Sequence, residues 1–201
     1  CPGLNAVIRV VTRTAIHQLG IEVIGIEDGF LGLIRNRMRH LTSDDVSNIL
    51  TVGGTILGTS NRADPVRFAV GKDAAGMPIF EDVTPRVLEH VAERGLDGII
   101  CIGGDGTMTG AAALIQRGVP CIGVPKTIDN DLMHTELTFG FTTAVQTATE
   151  GIDRIHSTAS SHHRVMLVEL MGRNAGWLTL HAGLASGCDI LQPSRYSATA
   201  L

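Results

Sequence analysis

Residues 98–116, GIICIGGDGTMTGAAALIQ, change character within a few positions, and that change limits the fold more than any other feature of the chain. Gly98 to Ile102 is a short apolar run opened by a glycine, which reads as a buried strand. Gly103-Gly104-Asp105-Gly106-Thr107 follows at once, and Met108 to Gln116 has the pattern of a helix. A strand that ends in a glycine turn and feeds a helix is a building unit of parallel α/β sheets.

The alternation continues on both sides. From Leu4 to Leu19 apolar residues fall at helical spacing (Val7, Ile8, Val11, Ala15, Leu19), and Gly20 supplies a stop. Ile21 to Ile26 reads as a strand ended by Asp28-Gly29, and Ser43 to Val46 as a helix start or tight turn. Gly53 to Arg62 is a glycine-rich loop after a short strand, and Lys72 to Pro78 an irregular surface segment. Pro85 to Arg94 is a helix that Gly95 caps. Pro120 to Val124 is a strand, Pro125 to Asp131 a loop, and Phe141 to His156 a long helix. Arg164 to Leu170 is strand-like, Asn174 to Ala185 helical and Cys188 to Leu191 strand-like again, whereas Gln192 to Leu201 lack periodicity. The expected fold class is α/β, with mostly parallel sheets and helices on both faces.

Composition removes several functions. The 201 residues are 44% hydrophobic, enough for one domain core or one domain and part of another. A net charge of −4 from 16 basic and 20 acidic residues argues against nucleic acid or an anionic membrane as partner. Only 3% of residues are aromatic, too few for base-stacking platforms. No apolar run is long enough to cross a bilayer, and no secretion signal is visible. Cys1, Cys101, Cys121 and Cys188 form no C-x-x-C pair, which argues against zinc and for small core residues in a reduced, cytoplasmic setting. The chain begins at Cys1, and Pro2-Gly3 reads as a turn with nothing before it, so a partial record is expected.

Three segments carry chemistry. At Gly103 to Thr107 the glycines let a phosphate chain approach the backbone, while the helix start favours anions. Asp105 would repel phosphates unless a cation such as Mg²⁺ intervened. A tight turn with a capping Asp is the plain alternative. The run is neither G-x-x-x-x-G-K-[ST] nor G-x-G-x-x-G, which removes the main support for a dehydrogenase. Pro125 to Leu132, PKTIDNDL, sets Asp129 and Asp131 around Asn130 just past a strand end, where open α/β sheets bind ligands. One carboxylate can take a proton from an attacking hydroxyl; the other can hold that base in place or face a metal. Thr127 can donate a hydrogen bond, and Lys126 can neutralise phosphate oxygens. An Asx-rich turn is the alternative for this segment alone. In the third, Ser160 to Leu178, Arg164 opens a strand and Met171-Gly172-Arg173 forms a turn carrying a cation suited to phosphate. Glu169 needs a partner if it is buried, and His162 and His163 read as surface or hydrogen-bonded residues.

CPGLNAVIR, GGTILGTSNR, GGDGT, PKTIDND, SSHHR and MGRNAGW occur in this order, and together they resemble the phosphofructokinase family over residues 1 to about 191. GGDGT alone also suits NAD kinases and diacylglycerol kinases; TIDND followed by MGR does not. The resemblance implies a two-lobed fold, with a nucleotide lobe over about 1–140 and the start of a sugar-phosphate lobe over about 141–201. It implies that Gly104, Asp105, Gly106 and Thr107 hold ATP, that Asp105 faces Mg²⁺, and that Arg62 approaches the nucleotide phosphates, with Asn61 an extra residue in that loop. It implies Asp129 as the base for the 1-hydroxyl of fructose 6-phosphate, Thr127 and Ile128 beside the sugar, and Asp131 in support. Arg173 would stabilise the transferring phosphoryl group, Met171 and Gly172 would touch the sugar, and Arg164 would reach the 6-phosphate of a neighbouring subunit, implying a dimer or tetramer. Arg9 and Arg13 match an effector-site pair, although that spacing equally marks a solvated helix face.

In the family, Asp at the position of Gly106 goes with pyrophosphate as donor, whereas Gly106 leaves room for ATP. Lys126 is usual in pyrophosphate users, yet Gly106 with Lys126 together resemble an ATP-using subgroup, so ATP is expected and pyrophosphate is the alternative. The segment that precedes C-P-G in the family and the later sugar-phosphate segments are missing from these 201 residues, so this polypeptide is expected to be inactive alone. A non-catalytic homologue is the remaining rival, against which Asp129, Asp131 and Arg173 all speak.

Overall fold

The computed structural model describes residues 2–193. The chain divides into two compact units, one formed by Leu4–Val124 and the other by Cys1–Gly3 with Pro125–Leu201. Cys1 and the aperiodic stretch from residue 194 onward lie outside the described residues.

In the Leu4–Val124 unit, helix α1 (Leu4–Thr14) buries Leu4, Val7 and Ile8 and runs into one π-helical turn, Ala15–Leu19. Gly20, at φ 64°, closes it with its N–H on the Ala15 carbonyl, so the expected stop is in place. An antiparallel hairpin follows: β1 (Val23–Ile26) pairs with β2 (Met38–Leu41) across the short helix α2 (Phe30–Ile34). A second antiparallel hairpin joins β3 (Phe68–Lys72) to β4 (Pro78–Glu81). Its turn is the segment read as irregular, and the Asp73 carboxylate orders it by accepting from the amides of Ala75 and Met77. The expected Ser43–Val46 element is a turn, in which Asp45 accepts from the Thr42 amide and hydroxyl and is held below the usual carboxylate range by them.

Helix α3 (Thr84–Glu93) and strand β5 (Ile99–Gly103) come next, then helix α4 (Asp105–Ile115), and β5 lies beside strand β6 (Cys121–Thr127). Leu33, Ile34, Val87, Ile99, Cys101, Ala111, Leu114 and Val119 form the main core. Leu114 and Val87 are fully enclosed, and burying side chains of that size stabilises a fold by roughly 1.5–3 kcal/mol each. Burial within this core pushes the Cys101 thiol up to about 12, with Cys121 adding to the shift, so Cys101 is an inert core residue as expected.

Gly32 shows how tightly this unit closes. A Cβ there would collide with the Glu27 carbonyl oxygen and press on the Arg37 carbonyl at 3.0 Å. Backbone cannot step aside as a side chain can, so Gly32→Ala is expected to destabilise the protein by at least ~1–3 kcal/mol, the usual cost of overpacking. Thermal unfolding of the variant reads this directly, and an unchanged melting temperature would contradict it.

In the other unit the end of β6 pairs in parallel with β7 (Phe139–Gly140), Lys126 opposite Phe139 and Thr127 opposite Gly140. Helix α5 (Phe141–His162) packs against α6 (Trp177–Ser186) through buried Phe141, Ile152, Leu178 and Ala182. Phe141 meets the His181 ring edge-on, with centroids 5.3 Å apart.

The α/β architecture is as expected, but two strands are not. Residues 164–170 and 188–191 form no ladder; Val165 and Leu167 are 100% and 98% exposed, and Glu169 faces solvent. Alternating apolar residues supply only one face of a strand. The backbone must also find a partner edge, and none pairs with these segments among the described residues. Helix α6 begins at Trp177, three residues later than expected, because Gly176 takes a left-handed conformation at φ 71°.

Candidate functional site

Within the Leu4–Val124 unit, β5 ends at Gly103 and α4 opens at Asp105, with Gly104 extended between them at φ −91°. Gly103 is needed because a Cβ there would overlap the Thr107 side chain, with the Thr107 Cβ only 2.6 Å away. At Gly106 nothing lies within 4 Å of where a Cβ would stand, so this residue keeps open space in front of the helix. The first amides of an 11-residue helix thus face outward beside two glycines, an arrangement that favours an anion. The Asp105 carboxylate is exposed in the first turn. Arg62 is exposed in the loop 53–62, where its amide donates to Ser60 Oγ at 3.4 Å.

In the other unit, Thr127 ends β6 and is buried, and the chain turns through Ile128, Asp129, Asn130 and Asp131. The Asp129 amide donates to Thr127 Oγ1 at 3.1 Å. Asn130 sits at φ 52°, in the left-handed region that asparagine tolerates better than most residues. Asp131, the next residue, accepts through Oδ2 from Arg173 Nη1 at 3.4 Å. Arg173 itself takes φ 51°, directly after Gly172 at φ 149°.

The electrostatics of this cluster are uneven. Burial pushes the Asp129 carboxyl above its usual range and the Asp131 carboxylate pushes the same way, while the Thr127 hydroxyl, Arg173 and Lys126 pull it back. Burial also draws the Lys126 ammonium below its usual range, against the attraction of Asp129. A half-buried carboxylate with a raised proton affinity, beside a hydroxyl donor and two cations, suits general base chemistry on a polar substrate.

Of the residues named from sequence, Lys126, Thr127, Asp129, Asp131 and Arg173 therefore share one environment. Ile128 is half-buried in the same loop, and Gly172 is buried, with the Leu178 Cβ 3.8 Å from where a Cβ on it would stand. Met171 and Arg164 are exposed. Gly104, Asp105, Gly106, Thr107 and Arg62 belong to the other unit. Arg9, from the candidate effector pair, donates instead to the Val46 carbonyl, and Arg13 is exposed.

Sequence reading named Asn130 only as the spacer between two carboxylates and missed Thr138. The Asn130 side chain accepts from the Thr138 amide at 2.9 Å and donates to the Glu136 carbonyl at 3.3 Å. The buried Thr138 hydroxyl donates to the Thr127 carbonyl at 2.8 Å. An asparagine inside a D-N-D run is a candidate for a left-handed turn, which was the one available signal.

Among the described residues no group of three or more His, Cys, Asp or Glu side chains could hold a metal ion unaided. No helix among the described residues is long and apolar enough to cross a membrane.

Residues 1–195 match the family model described as phosphofructokinase. Over 191 residues the chain is 52% identical to an ATP-dependent 6-phosphofructokinase 2 of Clostridium perfringens, covering 95% of this chain and 52% of that protein. Over 188 residues it is 50% identical to an ATP-dependent 6-phosphofructokinase of Corynebacterium efficiens, covering 93% of this chain and 51% of that protein. The chain thus spans about half the length of the curated relatives it matches. Its fold also matches a phosphofructokinase structure from Saccharomyces cerevisiae with a TM-score of 0.78 and 31% identity, over 94% of this chain and 27% of that one.

Proposed function

Because the chain belongs to the phosphofructokinase family, we propose that the complete protein carrying it transfers the γ-phosphoryl group of ATP to the 1-hydroxyl of fructose 6-phosphate, giving fructose 1,6-bisphosphate in glycolysis. The observation that carries this reading is the Asp129 carboxyl, half-buried at the end of β6 with its proton affinity raised, beside the Asp131–Arg173 pair.

Asp129 removes the proton from the attacking hydroxyl, and its raised proton affinity makes it a better base than an ordinary carboxylate. Thr127 and Asp131 hold that base in orientation. Arg173, steadied by Asp131, meets the negative charge of the phosphoryl group in flight, a contribution that a preorganised cation supplies without reorganisation. Met171 and Gly172 flank the sugar, Ile128 lines it, and the exposed Arg164 reaches the 6-phosphate bound to a neighbouring subunit of a homo-oligomer.

Gly104, Asp105, Gly106 and Thr107 cradle the nucleotide phosphates at the start of α4, with Arg62 approaching from its loop. Asp105 fits Mg²⁺, which takes one or two carboxylates and completes its shell with water and substrate phosphates rather than needing an all-protein cage. The ion would supply positive charge against the phosphate oxygens. The protein acts in the cytoplasm, without nucleic acid or membrane partners.

ATP is preferred over pyrophosphate because the space in front of Gly106 is open, and the relatives at 50–52% identity are named as ATP-dependent. The role assigned to Lys126 is to neutralise a phosphate oxygen of the donor. The test is turnover of fructose 6-phosphate by the complete protein with ATP and with pyrophosphate, each with Mg²⁺. Formation of the bisphosphate with ATP and little with pyrophosphate is expected. Preference for pyrophosphate would overturn the donor, and no turnover with either would overturn the reaction.

A further inference from the structure

The shortest two hydrogen bonds made by Thr138 fall on opposite sides of Asp129. Its hydroxyl donates to the carbonyl of Thr127, two residues before Asp129, at 2.8 Å. Its amide donates to Oδ1 of Asn130, the residue after Asp129, at 2.9 Å. Thr138 is itself only 3% exposed, and it directly precedes β7, whose parallel register against β6 fixes its height along the strand. Asn130 adds a second strut through its donation to the Glu136 carbonyl at 3.3 Å. The loop carrying both carboxylates is therefore held at its entry and at its middle by one buried side chain and one backbone amide of the same residue.

Resting on the proposed reaction, we infer that Thr138 is a positioning residue: through Thr127 and Asn130 it sets where the Asp129 carboxylate stands relative to the acceptor hydroxyl. Nothing in the geometry brings Thr138 to the substrate itself, since its hydroxyl proton is engaged with the Thr127 carbonyl. Its effect is transmitted by Thr127, whose Oγ1 accepts from the Asp129 amide at 3.1 Å. Losing the hydroxyl frees the end of β6 where that amide is anchored. A general base needs hydrogen-bond reach to its proton, so a shift of a fraction of an ångström lowers the chemical step more than it lowers binding.

Thr138→Val removes the hydroxyl while keeping shape and the amide; Thr138→Ser keeps both donors. Asn130→Gly removes the side-chain ties but accepts the left-handed backbone that Asn130 adopts at φ 52°. In the complete protein, Thr138→Val and Asn130→Gly are expected to lower kcat for fructose 6-phosphate by ~10–100-fold with KM within about threefold, and Thr138→Ser to restore kcat. Amide hydrogen exchange at Asp129 should quicken by about tenfold or more in Thr138→Val, with the amides of α6 unchanged. Wild-type kcat in Thr138→Val would overturn the inference. So would a general speeding of exchange across both α5 and α6, or failure of Thr138→Ser to rescue, since each marks a packing role alone. Absence of wild-type turnover would defeat the proposed reaction instead, and the exchange rate at Asp129 would then decide whether Thr138 holds the loop.

Discussion

Replacing Asp129 by asparagine in the complete protein is expected to lower kcat for fructose 6-phosphate by ~10²–10⁴-fold while leaving KM within about threefold. The substitution keeps size and one acceptor oxygen but removes the base. Binding of the sugar relies on groups that remain, so ground-state affinity changes little. A large rise in KM with normal kcat would make Asp129 a binding residue and sink the base role. The pH dependence follows from the direction of the Asp129 shift. Burial and the Asp131 carboxylate raise its proton affinity, so the acid limb of wild-type kcat should lie above the ordinary value of 3.8 for an aspartate. That limb should vanish from the residual activity of the asparagine variant.

The same shift has a stability consequence of opposite sign. A carboxyl that holds its proton more tightly in the folded state than in the unfolded state favours folding while protonated, and the contribution is lost as pH rises through the folded titration point. Above that titration point Asp129 therefore works against the fold. Asp129→Asn, neutral at every pH, should melt higher than wild type at pH 7. The difference should close as the pH falls toward the ordinary value of 3.8. A catalytic group that costs stability where it works is the expected trade.

In the sequence this carboxylate stood out through its company, a D-N-D run about 20 residues after the glycine turn GGDGT, since an Asx-rich turn would explain the run taken alone. Strands β5 and β6 and helices α3, α4 and α5 were legible from their apolar patterns and neighbouring glycines, but β6 runs on to Thr127 through residues expected as loop, and α5 continues to His162, past the expected end at His156, because no glycine or proline stops it there. The β3–β4 hairpin was not. Its strands, Phe68–Lys72 and Pro78–Glu81, are largely exposed and show no buried alternation, while Gly71 and Pro78 read as breakers. The opposite error occurred at 164–170, where the pattern of a strand is present and a partner edge is not. Thr138 had no signal at all. Its role arises from a contact eleven residues back along the chain, created by the parallel pairing of β6 and β7, and no local pattern encodes that pairing.

Gly106→Asp should reduce kcat/KM for ATP by about 100-fold or more without unfolding the protein. The two halves of this expectation have separate causes. On the fold side, nothing lies within 4 Å of a side chain begun at Gly106, so the substitution meets no steric barrier. A carboxylate in the first turn of α4 also sits favourably against the helix dipole, and Asp105 already occupies a neighbouring position there. Melting temperature should hold or rise slightly. On the ligand side, the added charge stands where the nucleotide phosphates are proposed to lie. Like charges brought together in a binding site cost several kcal/mol, and about 3 kcal/mol is a little over 100-fold in affinity. Pyrophosphate, which lacks the adenosine and α-phosphate portion, should be less affected than ATP. Calorimetric melting together with kcat/KM for both donors separates the two effects. A folded Gly106→Asp protein that still uses ATP at the wild-type rate would place the nucleotide somewhere other than the start of α4.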